Sequence, residues 1–495
     1  MRALSTGMRP SLLNSVVCAS QLKAQAMSTS NEAFAGLAGG SNEIGALDGA
    51  ELGIDEDRGT PLRLPFEVLS GSEQPADFRR ILGNFSGFHK FPKIAIKRAM
   101  DPVTNPFAPG AGTPPPELAG RDELRETVRI AIERVRRGLP TKSILMVGLR
   151  GVGKTVLLDR MRDDAEAAGI QTLRIEAPEG RSLPALLAPE LRQCLLRLSR
   201  NEQAKDLAQR ALRALAGFAK GLKVKYDDIE VGFDFEPEPG LADNGDLGHD
   251  LQALLEASGA AAREAGTALA IFIDELQYVK EEELATLITA LHRTAQRRLP
   301  VVLVGAGLPQ LRGRMGRAKS YAERMFDFPE IGPLAPAAAK HAIAKPAMDE
   351  GVEVTSDALD LIVDETRGYA YFVQEWGKHA WDTASESPIT REDVEKASTT
   401  AVAALDDSFF RVRFDRLTPA EKRYLRAMAE LGPGPHRSGD VAVELGRPVT
   451  SLGPTRNQLI AKGMIWSPHH GDTAFTVPLF DEFMQRIMPG DDWKF

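Results

Sequence analysis

Gly148, Leu149, Arg150, Gly151, Val152, Gly153, Lys154 and Thr155 read G-x-x-x-x-G-K-T, and this stretch decides the fold. A short apolar run, Ser143 to Gly148, leads into it, and from Val156 to Ala168 apolar residues return at helical spacing. Strand, glycine loop and helix in that order are what a phosphate-binding loop, or P-loop, requires. A phosphate chain needs backbone N–H groups turned inward. Glycines allow this by accepting dihedrals closed to other residues, and the following helix N-terminus adds partial positive charge. Lys154 would neutralise the β- and γ-phosphates. Thr155 would set its hydroxyl on Mg²⁺, an ion that keeps several waters and takes few protein ligands. The nucleotide site therefore runs from Gly148 through Val156.

Further along, Leu269-Ala-Ile-Phe-Ile leads into Asp274 and Glu275, an apolar strand ending in two acids. Such an end sets Asp274 beside the metal and Glu275 beside an attacking water. Phosphoryl transfer is mostly positioning and charge stabilisation, so one acid to hold magnesium and one to orient or deprotonate water suffices. Together the two motifs specify an ATPase with ATP and Mg²⁺ as its ligands.

Around them the spacing predicts a helix over Arg121–Arg137, a strand over Thr172–Glu176, a helix over Leu183–Leu198 and a strand over Ala268–Asp274. A helix over Glu281–Arg298 and a strand over Val301–Val304 follow. Strands alternating with helices imply a parallel sheet. The P-loop lysine and the acid pair lie far apart, so an insertion occupies about 201–250, and Val224 to Phe235 comes close to hairpin periodicity. Residues 336–405 read as several short helices, and 411–495 as helices followed by a Gly- and Pro-punctuated strand region.

Residues 1–104 are rich in Ala, Ser and Gly, lack sustained periodicity and read as a mostly disordered extension. Arg2, Arg9 and Lys23 with no acid before Glu32 give it a superficial transit-peptide character, but the expected location is cytoplasmic. Met100 opens a Pro- and Gly-loaded leader, so the first hundred residues are expected to be dispensable. With 495 residues, 43% of them apolar, the chain can support two or three folded units. Its formal net charge of -8 excludes a surface built throughout for nucleic acid, leaving room for a regional basic patch. Cys18 and Cys194 are too few and too far apart for a disulfide scaffold or a zinc site. No apolar run reaches the roughly 20 residues needed to cross a bilayer.

Leu118-Ala-Gly-Arg121-Asp-Glu-Leu124, the P-loop, Asp274-Glu-Leu-Gln277 and Leu303-Val-Gly-Ala-Gly-Leu-Pro309 together resemble AAA+ ATPases of the origin-recognition and initiator type. The resemblance spans about 105–495. It implies an α/β fold with a P-loop NTPase αβα core on a parallel sheet over 105–335, a helical lid over 336–405 and a C-terminal winged-helix domain over 411–495. It also implies assembly as a homo-oligomer or with a protein partner, and an arginine that reaches a neighbouring subunit's γ-phosphate. Arg324 stands in the matching place, with Arg314 and Arg317 as competitors. Two departures stand out. Gly305, Ala306 and Gly307 occupy the place of a polar sensor, and Tyr371 replaces the arginine of a lid Gly-x-x-Arg sensor, which implies slow hydrolysis.

Thr418-Pro-Ala-Glu421 opens a helix as N-cap, first-turn proline and acid. Ser438–Leu445, the turn Gly446-Arg-Pro448, Thr450–Lys462 and the hairpin Met464–Val477 follow in helix-turn-helix order and resemble a winged helix. Arg411 to Lys462 holds ten Arg or Lys against five acids. Thr450, Ser451, Thr455, Arg456, Asn457 and Lys462 could reach the phosphates or base edges of double-stranded DNA; His469 and His470 read as solvated turn residues. The leading expectation is a nucleotide-dependent switch acting on DNA, and the alternative a nucleotide-gated scaffold for protein partners.

Overall fold

A computed structural model describes residues 50–54, 61–64 and 100–494, apart from 111, 224 and 227–234. Strands β1 (Ala50–Ile54) and β2 (Pro61–Leu64) pair antiparallel in a separate N-terminal unit. The rest of the expected disordered extension up to residue 99, and most of the expected Val224–Phe235 hairpin, lie outside the described residues.

The core follows the predicted alternation. Helix α1 (Asp122–Arg136) precedes β3 (Ser143–Val147), then α2 (Lys154–Ala167), β4 (Gln171–Glu176) and α3 (Leu183–Leu198). Helices α4 (Lys205–Leu222) and α5 (Leu247–Glu264) come next, then β5 (Leu269–Asp274), α6 (Glu281–Gln296) and β6 (Val301–Gly307). Short helices α7 (Leu311–Ala318) and α8 (Ala322–Met325) lead to the edge strand β7 (Phe326–Asp327). The five strands run parallel in the order β4-β5-β6-β3-β7. Every residue of β5 and β6 is buried, as continuous apolar runs in a sheet covered on both faces require.

One face of the sheet packs against α1 and α2 through Val128, Ile132, Leu157 and Met161. The other packs against α3, α4, α5 and α6. Helix α4 lies within the expected insertion at about 201–250 and α5 begins at its end; the spacing predicted neither. In α4, Ala208, Ala211, Leu212, Leu215, Ala219 and Leu222 fall on one buried stripe, and its alanines let α5 approach closely.

After the core, α9 (Pro336–Asp349), α10 (Ser356–Thr366), α11 (Ala370–Thr383) and α12 (Arg391–Ala404) form the expected run of short helices. A π-helical turn, Leu405–Phe410, joins α12 to α13 (Arg411–Asp415). The last module contains α14 (Pro419–Glu430), β8 (His436–Arg437), α15 (Ser438–Glu444), α16 (Val449–Ala461), β9 (Ile465–Trp466), β10 (Asp472–Phe475) and α17 (Phe480–Ile487). Thr418 and Glu421 form the expected capping box on α14. The three short strands make an antiparallel sheet in the order β8-β10-β9. Lid and C-terminal module share one apolar cluster. Phe372, Phe410, Phe480 and Phe483 sit in it, with Phe410 and Phe483 stacked at 5.2 Å. Among the described residues, no helix is long and apolar enough to cross a membrane.

Candidate nucleotide site

The loop between β3 and α2 has the conformation its glycines permit. Gly151 and Gly153 sit at φ 81° and 89°, where a side chain would be strained. Gly148 has no room for a side chain, because a Cβ there would lie 2.2 Å from the Ile331 carbonyl oxygen. Backbone bonds hold the loop's base: Gly148 N donates to Gly307 O at 3.1 Å and Ile331 N to Val147 O at 2.7 Å. Arg121 adds a clamp, its guanidinium donating to Gly332 O at 2.6 Å and to Val152 O at 3.4 Å. That role was not read from the sequence, although Arg121 stands in a quoted motif.

Lys154 opens α2 and is buried at 8% exposure. Its Nζ donates to Leu149 O at 2.8 Å, which leaves two of its three N–H donors for a ligand. Burial pushes the ammonium pKa down to about 8, against the opposing pull of Glu275 and Asp274. Asp274, at 2% exposure, accepts a hydrogen bond from the Thr155 side chain, and burial raises its carboxyl above the usual range. A hydroxyl and a carboxylate side by side are the hard oxygen donors that suit Mg²⁺. No cluster of three or more His, Cys, Asp or Glu suited to a metal occurs among the described residues. The residues present therefore fit a nucleotide with Mg²⁺: glycine amides and Lys154 for the phosphates, Thr155 and Asp274 for the ion.

Glu275 follows Asp274 in a left-handed conformation, φ 52°, and its amide donates to Asp274 Oδ1 at 2.8 Å. That kink turns its side chain out of the strand. Gln277, which the sequence reading did not assign, completes this corner: its amide nitrogen donates to Glu275 Oε2, and its Oε1 accepts from Leu308 N at 3.0 Å. The glycines of β6 explain why no side chain occupies the sensor place. A Cβ on Gly305 would lie 2.4 Å from Leu276 Cδ1, and one on Gly307 would lie 2.9 Å from Gln277 Oε1. Gln277 fills the space from the neighbouring strand's end. Its position two residues after Glu275 was the available signal.

Two modules close over the loop. The Tyr371 amide donates to Gly151 O at 3.0 Å, and its ring stacks on Phe409 at 4.9 Å. Phe372 and Trp376 are buried in the apolar cluster of the helices over 336–404. Arg367 pairs instead with Glu482 at 2.6 Å. From the C-terminal module, Thr476 O accepts from the Arg150 amide at 3.0 Å and Gly463 O from Arg150 Nε at 3.5 Å. Arg150 also donates to the Tyr278 hydroxyl at 2.9 Å and lies 3.9 Å from Glu275.

Arg324 is exposed beside a cavity of about 480 Å³ lined by Lys142, Ser143, His292 and Tyr321, at the end of β3 away from the P-loop. Its guanidinium has no hydrogen-bond or ion-pair partner among the described residues. Arg314, by contrast, donates to Gln277 O and to Val279 O at 2.7 Å, and Arg317 lies 3.5 Å from Glu281.

The DNA candidates divide. Thr450, Ser451 and Asn457 are exposed, while Thr455 is half-buried. Arg456 is turned onto its own hairpin, donating to Thr473 Oγ1 at 3.1 Å and to Asp472 O at 3.1 Å. Lys462 is tied to the buried Glu421 at 2.7 Å. Arg426 is buried and bonded to Met488 O at 2.9 Å. The basic excess between Arg411 and Lys462 is therefore partly internal. His469 and His470 are exposed on their turn.

A parallel sheet, a P-loop feeding a helix and an acid pair at the end of an inner strand define a P-loop NTPase fold. More narrowly, residues 117–304 match the AAA ATPase domain family, and residues 407–484 match Domain of unknown function (DUF8462). No curated protein matches the chain. Among solved structures the chain is similar to the Walker-type ATPase PABY2304 of Pyrococcus abyssi, at 15% identity over 75% of this chain and 98% of that one, TM-score 0.48. It is also similar to the ORC2 protein of Aeropyrum pernix, at 18% identity over 77% and 98%, TM-score 0.43. A third is the Thermotoga maritima RuvB Holliday junction branch migration motor, at 16% over 72% and 92%, TM-score 0.35. These are general likenesses.

Proposed function

We propose that the chain is an AAA+ ATP-binding switch that hydrolyses ATP slowly and acts through its C-terminal module, read as a winged helix, on duplex DNA. The observation that carries the switch is Arg150. One P-loop residue is bonded to the C-terminal module through Thr476 and Gly463 and lies beside the acid Glu275. Any movement of the loop on binding phosphates is therefore felt by the module, and a nucleotide with different affinities for the docked and released states shifts their balance.

Lys154 and the loop amides would bind the phosphates, Thr155 and Asp274 would hold Mg²⁺, and Glu275, aligned by Gln277, would take the proton of an attacking water. The ion, when bound, would neutralise charge developing on the phosphate oxygens. Arg324 is the candidate to reach a neighbouring copy's nucleotide, because Arg314 is committed within its own chain. Thr450, Ser451, Thr455 and Asn457 remain the candidates on α16 for contact with DNA.

The second reading, a nucleotide-gated scaffold for protein partners, gains from the internal bonds of Arg456 and Lys462, which withdraw two cations from any DNA face. The deciding experiment is ATP turnover by the wild type and Glu275→Gln, each with and without duplex DNA, alongside salt-dependent retention on DNA. Turnover stimulated by DNA and lost in the variant supports the first reading. Tight ATP binding with no turnover and no retention sinks it in favour of the scaffold.

A further inference from the structure

The cavity of about 480 Å³ beside Arg324 lies at the end of β3 away from the P-loop, and the nucleotide chemistry leaves it unused. The last turns of α1 and α6, the first residues of β3 and β6, and helix α8 surround it. Its size is that of a small-molecule site. One wall is apolar, made by Leu291, Val301, Val302 and Met325. The other carries donors. Ser143 Oγ accepts from Leu303 N at 3.0 Å and keeps its own O–H to give. The Tyr321 hydroxyl lies 3.4 Å from Thr289 Oγ1, and its ring stands 5.0 Å from that of His292. Of the two permanent cations at the cavity, Lys142 is neutralised by Asp327 at 2.9 Å, which leaves the Arg324 guanidinium. No Asp or Glu is among the described residues that line the space. Helix C-termini disfavour an anion, and α1 and α6 both end here; Arg134, Arg136 and Arg293 in their last turns supply the offsetting charge.

We infer that this cavity binds a small monocarboxylate with an apolar body, its carboxylate on Arg324 and its body against the wall of Leu291, Val301, Val302 and Met325. A guanidinium offers a planar fork of N–H donors matched to the two oxygens of a carboxylate. One cation without a counter-charge selects one negative charge, and the apolar wall selects a hydrocarbon body over a bare inorganic anion. Arg324 is also the candidate to reach a neighbouring copy's nucleotide, so a carboxylate bound here would withhold it from that task. The binding itself does not depend on the nucleotide reading, since it is measured without ATP.

The test is a ligand-observed NMR titration of the full chain with octanoate, octan-1-ol and inorganic phosphate, as wild type, Arg324→Gln, Arg324→Lys and Ala295→Trp, with thermal midpoints as a folding check. Ala295 lines the cavity and is exposed, so a tryptophan there fills the space from its rim and leaves the buried wall alone. Octanoate should saturate on the wild type and bind it more tightly than octan-1-ol or phosphate does. Arg324→Gln should weaken octanoate at least about tenfold and octan-1-ol less than about twofold, with Arg324→Lys between. Ala295→Trp should remove octanoate binding, which places the ligand in this cavity. The comparison of octanoate with octan-1-ol on the wild type needs no variant: equal binding of the two refutes selection of an anion. Absence of saturable octanoate binding, or affinity unchanged by Arg324→Gln or by Ala295→Trp, overturns the inference. Phosphate binding as tight as that of octanoate also overturns it, because the apolar wall then selects nothing.

Discussion

Gln277 does at residue scale what the glycines of β6 prevent. It holds Glu275 from one amide atom and Leu308 N from the other, and it is 6% exposed. Gln277→Ala should therefore leave Glu275 free to rotate away from the attacking water. Turnover should fall about tenfold while the MgATP dissociation constant stays within about twofold, measured by steady-state hydrolysis and calorimetry on the same preparation. The orphaned Leu308 amide adds about 1–3 kcal/mol of destabilisation, visible as a lower thermal midpoint. Cys194, fully buried on α3, offers a different residue-scale prediction. Burial pushes its thiol up to about 12, with Arg197 opposing. The fold favours the neutral thiol, so its contribution to stability is complete below the ordinary thiol range and is lost as pH rises through and beyond it. A Cys18→Ser chain should show no thiol reactive to a maleimide when native and one equivalent when denatured; rapid native labelling would contradict the burial.

At the scale of elements, legibility followed local physics. The P-loop, the acid pair and the alternation of strands and helices carry their geometry in nearest-neighbour patterns, and α3 was read from Leu183 to Leu198 as it stands. Helix α4 was missed because its stripe is built largely of alanine, and α5, which buries Leu247, Leu251, Leu254 and Leu255, packs against it across the core. The sensor glycines were noticed as a departure, yet their cause lay in Leu276, Leu145 and Gln277, which only the sheet brings beside them. Arg456 and Lys462 were read as outward cations for the same reason: their acceptors, Thr473 and Glu421, sit on other elements. Gly148 tests the loop as an element. A methyl group there meets a carbonyl oxygen rather than a yielding side chain, so Gly148→Ala should displace the β3–α2 loop from Ile331. The expected result is a stability loss of about 1–3 kcal/mol together with loss of nucleotide binding. An unchanged melting curve with intact binding would show that the close approach is not required.

Across the whole molecule, lid and C-terminal module behave in packing as one body that leans on the P-loop. The aromatic chain runs from Tyr371 and Phe372 in α11 through Phe409 and Phe410 to Phe480 and Phe483 in α17. Ion pairs such as Arg486 with Asp406 and Arg367 with Glu482 decorate the same seam. They are partly exposed, so each is expected to add little. The seam's cohesion then resides in the rings, which makes Phe410 its most sensitive position: it is 1% exposed and touches Phe372, Phe409, Phe480 and Phe483. Phe410→Ala removes contacts to both sides at once, and truncation of a buried ring costs about 3–5 kcal/mol. If the two parts share a cooperative unit, hydrogen exchange should accelerate together across α11, α14 and α17 while β5 and β6 keep their protection. Acceleration confined to α14 and α17 would show that the C-terminal module unfolds alone. In that case a signal from Arg150 would have to reach it through Thr476 and Gly463 without help from the lid.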